Sequence, residues 1–251
     1  MSVIKEITLE EEMKKNPQLK LSDIESLREW CDKQPHLPKI EDSFLVLFLH
    51  SNYYQMEPTK NTIENYYTIR THLPEIFCNR DPLEEKGLQQ SFKTVIHGYI
   101  LVIDADKFSF GHMMRTNPLE VKKHVYYIQE ALPIRLKAIH VINAAPAAEL
   151  LMKMAKPFMK NELMHIIRFH LSLESLSEYI PVDALPNETG GKAGSVHKLA
   201  EIHKRKFEDY REWFLLDEST RRVNEALRIG KSKTVNDLFG IDGNFKKLDI
   251  D

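Results

Sequence analysis

The stretch RLKAIHVINAAPAAELLMKMAKPF, Arg135 to Phe158, decides how the rest of the chain is read. A short apolar strand, IHVIN, runs into a helix rich in leucine and methionine. No nucleophile, glycine loop or metal-ligand set stands between them. In an open α/β sheet the crevice beyond the carboxyl ends of the strands is where a ligand sits. Leu150, Leu151, Met152, Met154, Phe158 and Met159 therefore occupy the place where a doubly wound enzyme puts polar chemistry. About half of such a set packs on the sheet. A helix apolar on more than one face is otherwise deeply buried or has a greasy partner besides the protein, and methionine adapts its shape to irregular ligands.

Upstream, GYILVID (98–104) is a short continuous apolar run, suited to a strand buried on both faces. Between the two strands, Asn117, Pro118 and Glu120 supply an N-cap, an N1 proline and an N3 carboxylate. Val121, Val125, Ile128 and Leu132 form the apolar stripe of the helix that follows. Strand, helix, strand, helix predicts a mainly parallel α/β layer with right-handed crossovers. IIRFHLSL (166–173) adds a strand, and an amphipathic helix opens near Ser195. Before His97 the pattern is helical over about 21–92. Ser22 and Glu25 have capping-box spacing, Phe44, Leu45, Leu47, Phe48 and Leu49 mark a second helix, and Ile63, Tyr66, Tyr67 and Arg70 a third. The predicted organisation is a small helical domain over 1–95 and an α/β domain with a C-terminal helix and tail over 96–251.

Composition narrows the function classes. The 251 residues are 42% hydrophobic and 29% charged with a formal charge of −2, so nothing draws the chain globally to nucleic acid. The longest apolar runs, such as FLVLFL at 44–49, fall well short of the roughly 20 residues that span a bilayer. An acidic N-terminus without a signal-type apolar region and two cysteines, Cys31 and Cys78, predict a cytoplasmic protein with reduced thiols. Catalytic and metal motifs fail one by one. GKS at 230–232 has Glu225 where a phosphate loop needs glycine, and GGKAGS (190–195) reads as a turn needing positive φ. His165 and His170 are five apart, which fits no helical zinc motif. Asp104 ends a strand without a nucleophile nearby. The expectation is no enzyme, no metal and no cofactor, with an α/β enzyme using Asp104 and a nearby histidine as the remote alternative.

LPEIF at 73–77, GYILVIDADKFSFGHM at 98–113, LPIRLKAIHVINAAP at 132–146, KPFM at 156–159 and LPNETGG at 185–191 occur together in one order. In that order they resemble the CRAL-TRIO family, cytosolic carriers of single lipid molecules that include tocopherol and retinaldehyde binders. The match runs from about 25 to 195, and the tail KTVNDLFGIDGNFKKLDID is similar to insect members. The resemblance implies a helical domain, a lipid-binding α/β domain, and a mobile gate formed by the helix at about 147–158. Lys156-Pro157 is its expected hinge, because proline cannot donate the helical hydrogen bond and disfavours helical angles before it. Aligned positions imply a pocket of Tyr99, Ile103, Tyr127, Ile128, Ile134, Ile139, Leu150, Leu151, Met154 and Phe158.

Arg70, Arg135 and Lys137 match positions that hold phosphoinositide phosphates in tocopherol-binding members, a task suited to guanidinium and ammonium groups. Past KPF those members continue with basic residues where this chain has Glu162, Met164 and Ile166. Between SFKTV and HGYILVID, relatives carry a strand and a helix, at least about 30 residues of structure, for which this sequence has no room. The expected function is carriage of one hydrophobic lipid by a monomer that touches membranes transiently. The alternative is a phosphoinositide-dependent membrane adaptor.

Overall fold

Phe44 to Leu49 are buried without a break, because α3 (Asp42–Ser51) is apolar on every side and so must sit centrally. Around it the computed structural model, which describes residues 9–79, 81–82 and 98–240, arranges α1 (Leu9–Lys15), α2 (Leu21–Asp32), α4 (Met56–His72) and α5 (Pro74–Phe77). Ile24 and Leu27 of α2 and Ile63, Tyr67 and Ile69 of α4 close this core. α2 begins earlier than its sequence spacing implied. Its N-cap is Lys20, which makes no side-chain cap, and Ser22 lies inside the first turn, where Asp23 complements the helix dipole instead.

Among the described residues the sheet has three parallel strands in sequential order, β1 (Tyr99–Asp104), β2 (Leu136–Ile142) and β3 (Ile167–His170). Asn117 caps the crossover helix α7 as its sequence dictates, accepting from the Leu119 amide, with α6 (Phe110–Met114) ahead of α7 (Pro118–Tyr126). α7 runs into a π turn, Tyr127–Ala131, closed by Leu132 N–H on the Tyr127 carbonyl. α8 (Pro146–Ala155) follows β2 and passes into a 3-10 turn, Lys156–Phe158. α9 (Asn161–His165) leads into β3, and α10 (Leu173–Ser177) leaves it. β1 is not buried on both faces as its run of apolar residues suggested. It lies at the edge of the described sheet, and Ile100 and Ile103 are 48% and 46% exposed.

The loop LPNETGG owes its shape to two glycines. Gly190 takes a left-handed φ of 81°, and a Cβ on Gly191 would fall 1.9 Å from the Leu185 carbonyl oxygen. Ser195 then caps α11 (Val196–Asp209), followed by α12 (Arg211–Thr220) and α13 (Val235–Phe239). This tail, grouped with the second domain by sequence, packs on the first. Val223 and Phe239 join the helical core, Asn224 N–H donates to the His36 carbonyl, and Arg228 bonds Glu64, Glu225 and Thr68. Cys31 and Cys78 are free thiols, and burial pushes Cys31 up to about 12. The domain junction at 95–96 and the residues after 240 lie outside the described residues.

Candidate functional site

Alternation along the strands places Leu101, Ile103, Ile139, Val141, Ile167 and Phe169 on one face of the sheet. α7, α8 and α9 cover that face. Val125, Ala155 and Leu163 are buried there against Ile139 and Val141, with Leu101, Ile128, Ala148, Phe158 and Met159 packed around them. Of the residues expected to meet a ligand, Ile128, Ile139 and Phe158 thus belong to one cluster. Ile103 shares their face at its exposed edge, and Leu150, Leu151 and Met154 stand on α8 above it. Tyr99 pairs with Leu136 beside a register shift, and Ile134 is buried just before β2. Tyr127 is turned away. Its ring sits 5.1 Å from Phe77, edge to face, in the helical core, because the π turn ends against α4 and α5.

α8 is held mainly by small side chains: Ala147 and Ala155 are its buried residues, and Leu150 is exposed. A buried methyl is worth about 0.8 kcal/mol, so such a helix detaches far more cheaply than one seated by leucines. α6 packs beside it and presents Phe110 and Met114, 60% and 86% exposed. Sequence reasoning did not single out these two side chains. Their signal was FSFGHMM itself, an apolar cluster in a connection between strand and helix.

The three expected cations do not converge. Arg135 Nε donates to the His50 carbonyl, and its guanidinium lies 4.4 Å from the Tyr53 ring centre and 5.3 Å from that of Tyr54. Lys137 Nζ stands 5.3 Å from the Tyr53 ring centre and donates to its hydroxyl at 3.3 Å. Tyr53 and Tyr54 both adopt left-handed φ, 54° and 61°, an uncommon conformation for two consecutive aromatic residues. Arg135 Nη2 is buried without a hydrogen-bond partner among the described residues. Arg70, by contrast, is buried in an ion pair with Asp217 and packed between Tyr66 and Phe77, 5.0 Å from each ring centre. It is part of the core, 3% exposed.

The opposite sheet face carries a polar chain. His140 Nδ1 and His170 Nε2 are 2.7 Å apart, and His170 Nδ1 is 3.0 Å from Ser175 Oγ, which donates to the Ser172 carbonyl at 2.8 Å. With the serine hydrogen committed, His170 Nδ1 must be the donor to Ser175, and His140 Nδ1 the donor to His170. A cleft of about 330 Å³ opens beside it, lined by Arg168, Phe169, His170, Ser175, Glu178 and Tyr179. A serine whose hydrogen points at a carbonyl is not poised as a nucleophile. Asp104 accepts from the Asp106 amide in its own turn and from the Asn143 side-chain amide just beyond β2, and neither bond involves a histidine. Among the described residues no group of three or more metal-ligating side chains could hold an ion.

Burial, then His170 and Arg168, hold His140 below the usual histidine range. At neutral pH both folded and unfolded forms are uncharged here. As the pH falls below about 6.5 the unfolded chain takes up a proton that the folded chain resists, so stability declines. A urea midpoint that falls between pH 7 and 5 in the wild type, and less steeply in His140→Gln, is the expected result.

A family model described as "Divergent CRAL/TRIO domain" matches residues 86–198, and one described as "Pinta-like, UBA domain" matches residues 9–87. Residues 86–198 form a divergent CRAL-TRIO domain. It is similar to "Alpha-tocopherol transfer protein-like" of Homo sapiens, 25% identical over 237 aligned positions covering 74% of this chain and 69% of that protein. Clavesin-1 of Mus musculus is 23% identical over 233 positions, covering 72% and 66%. Since 74% of 251 residues is about 186, about 50 of the 237 aligned positions have no residue in this chain. The family is one of lipid binding and transfer, and no helix among the described residues is long and apolar enough to cross a membrane.

Proposed function

We propose that this chain carries one hydrophobic lipid between the sheet and α8 and exchanges it at membranes, with no catalytic step. The observation that carries the reading is α8 itself: rich in leucine and methionine, attached through alanines, and flanked by the exposed Phe110 and Met114. Lifting it exposes apolar surface, which is unfavourable in water and favourable against a bilayer. Ile103, Ile128, Ile139, Leu150, Leu151, Met154 and Phe158 line the ligand's path. The name of the human relative makes tocopherol the first lipid to try, and the chain acts as a cytoplasmic monomer with transient membrane contact. Mass spectrometry of organic extracts of the purified protein tests the reading directly. A stoichiometric apolar lipid is expected, and extracts empty of lipid, with no transfer of a fluorescent α-tocopherol analogue, would refute it.

The second reading, a phosphoinositide-dependent adaptor, is favoured by the Arg135–Lys137–Tyr53 patch. There the Arg135 guanidinium and the Lys137 ammonium both stand against the Tyr53 ring, 4.4 and 5.3 Å from its centre. Replacing both cations by Ala is expected to lower binding to phosphoinositide vesicles and flatten its salt dependence, since screening acts on exposed charges. Unchanged binding across a salt series would exclude the patch. If the double variant loses vesicle binding and yet the wild type extracts no lipid, the adaptor reading replaces the carrier reading.

A further inference from the structure

The end of α8 is held differently from its length. After the 3-10 turn Lys156–Phe158 the chain passes through Met159 and Lys160 into α9, and one side chain from another element grips that passage twice. The Gln129 amide donates to the Phe158 carbonyl at 3.0 Å, and Gln129 Oε1 accepts from the Lys160 amide at 3.0 Å. A carboxamide placed this way imitates a rung of a β ladder, with donor and acceptor both used, and fixes the backbone on either side of Met159. Its neighbour Glu130 pairs with Lys160 Nζ at 2.5 Å, and Lys122 Nζ stands 5.8 Å from the Phe158 ring centre. Gln129 and Glu130 both lie in the π turn, a distortion that recurs at functional sites.

Phe158 and Met159 also pack into the cluster on the sheet. Upstream of them α8 is seated by methyl groups, and the Lys156-Pro157 junction lacks the proline amide as a donor. Lys156 keeps helical angles, φ −49° and ψ −42°, contrary to the expectation for a residue before proline. The joint is therefore weakened only by the missing donor, and there a loosely seated helix meets a doubly bonded end.

We propose that Gln129 is the positioning residue of the gate: it fixes Phe158–Lys160 so that α8 bends at Lys156-Pro157 and returns to one register. The inference rests on the reading of α8 as a gate. Motion upstream of the clasp opens the apolar layer, while the clasp keeps α9 and β3 in place.

The test compares wild type with Gln129→Leu, which loses both bonds, and Gln129→Glu, which keeps the acceptor for Lys160 and the shape but cannot donate to Phe158. Hydrogen exchange reads the clasp without any lipid. In Gln129→Leu the Lys160 amide is expected to exchange at least tenfold faster, with α8 amides following and the melting temperature little changed. Gln129→Glu should retain Lys160 protection. With the fluorescent α-tocopherol analogue loaded, escape in the absence of acceptor vesicles should accelerate at least fivefold in Gln129→Leu. Unchanged Lys160 exchange would overturn the clasp, and faster exchange confined to Lys160, with escape and α8 exchange unaltered, would overturn its role as pivot. A wild type that takes up no analogue would defeat the gate reading alone, leaving the clasp to be judged by whether its loss spreads to α8 exchange.

Discussion

Replacing Phe110 and Met114 together by Asp is expected to slow transfer of a tocopherol analogue between vesicles by about 10- to 100-fold, with equilibrium affinity held within about twofold. The rate change follows from membrane contact. Phe110 and Met114 are exposed in this conformation and packed against little, so the protein without a membrane hardly notices their loss. Full burial of such a side chain is worth about 1.5–3 kcal/mol. These two are already partly covered and enter a bilayer only in part, so a combined gain of about 1.4–2.8 kcal/mol, one to two decades, is expected. Phe158 and Met159, the apolar residues just past α8, are less suited to that contact. Both are half-buried in the cluster on the sheet, so Asp there would disturb packing rather than contact. A kinetic series settles the matter. If rate and affinity fall by the same factor in the Phe110/Met114 variant, α6 lines the ligand rather than the membrane.

Asp217→Ala is expected to destabilise the fold by about 3–5 kcal/mol, the usual result of leaving a buried charge uncompensated. Asp217 is fully buried and meets two guanidinium groups, Arg70 through one carboxylate oxygen and Arg221 at 3.1 Å through the other. Arg70 Nε is already buried without a partner among the described residues, so removing the carboxylate leaves the cation poorly solvated on every side. Urea denaturation followed by far-ultraviolet circular dichroism gives the number. A loss below about 1 kcal/mol would mean that water reaches the site and that the pair is not the clamp between α4 and α12 drawn here. The same experiment separates Arg70 from Arg135 and Lys137. Loss of the exposed Lys137 should spare stability and act on vesicle binding, whereas loss of Arg135 also removes its bond to the His50 carbonyl.

How far the residues themselves disclosed the molecule varied with the range of the interaction involved. The Asn117-Pro118 helix start, the β2 run of IHVI and the α8 helix rest on capping and periodicity, which act within a few residues, and all three stand where the sequence placed them. The Ser22 box failed on the same scale, since α2 starts at Leu21, after Lys20 as an N-cap without a side-chain bond, which puts Ser22 inside the first turn. β1 failed for a different reason. Whether a strand of continuous apolar residues is buried on both faces depends on its neighbours, and β1 has β2 on one side only in the described sheet.

The candidate site divides along the same line. That the helix after IHVIN is apolar was legible from its residue types alone. Which apolar residues meet a ligand was not, since Tyr127 and Ile128 are adjacent in sequence yet face different cores. The fate of Arg70 was equally hidden. An arginine near a helix end reads as a surface cation until a carboxylate 147 residues later is folded onto it. The sequence by itself determined the parallel α/β class, the helical block before it and the greasy helix after the central strand. Tertiary structure alone decided that Arg70 is core, that the tail straps the helical domain, and that Gln129 grips the end of α8. Those outcomes depend on groups far apart in the chain, and only packing sets their distances.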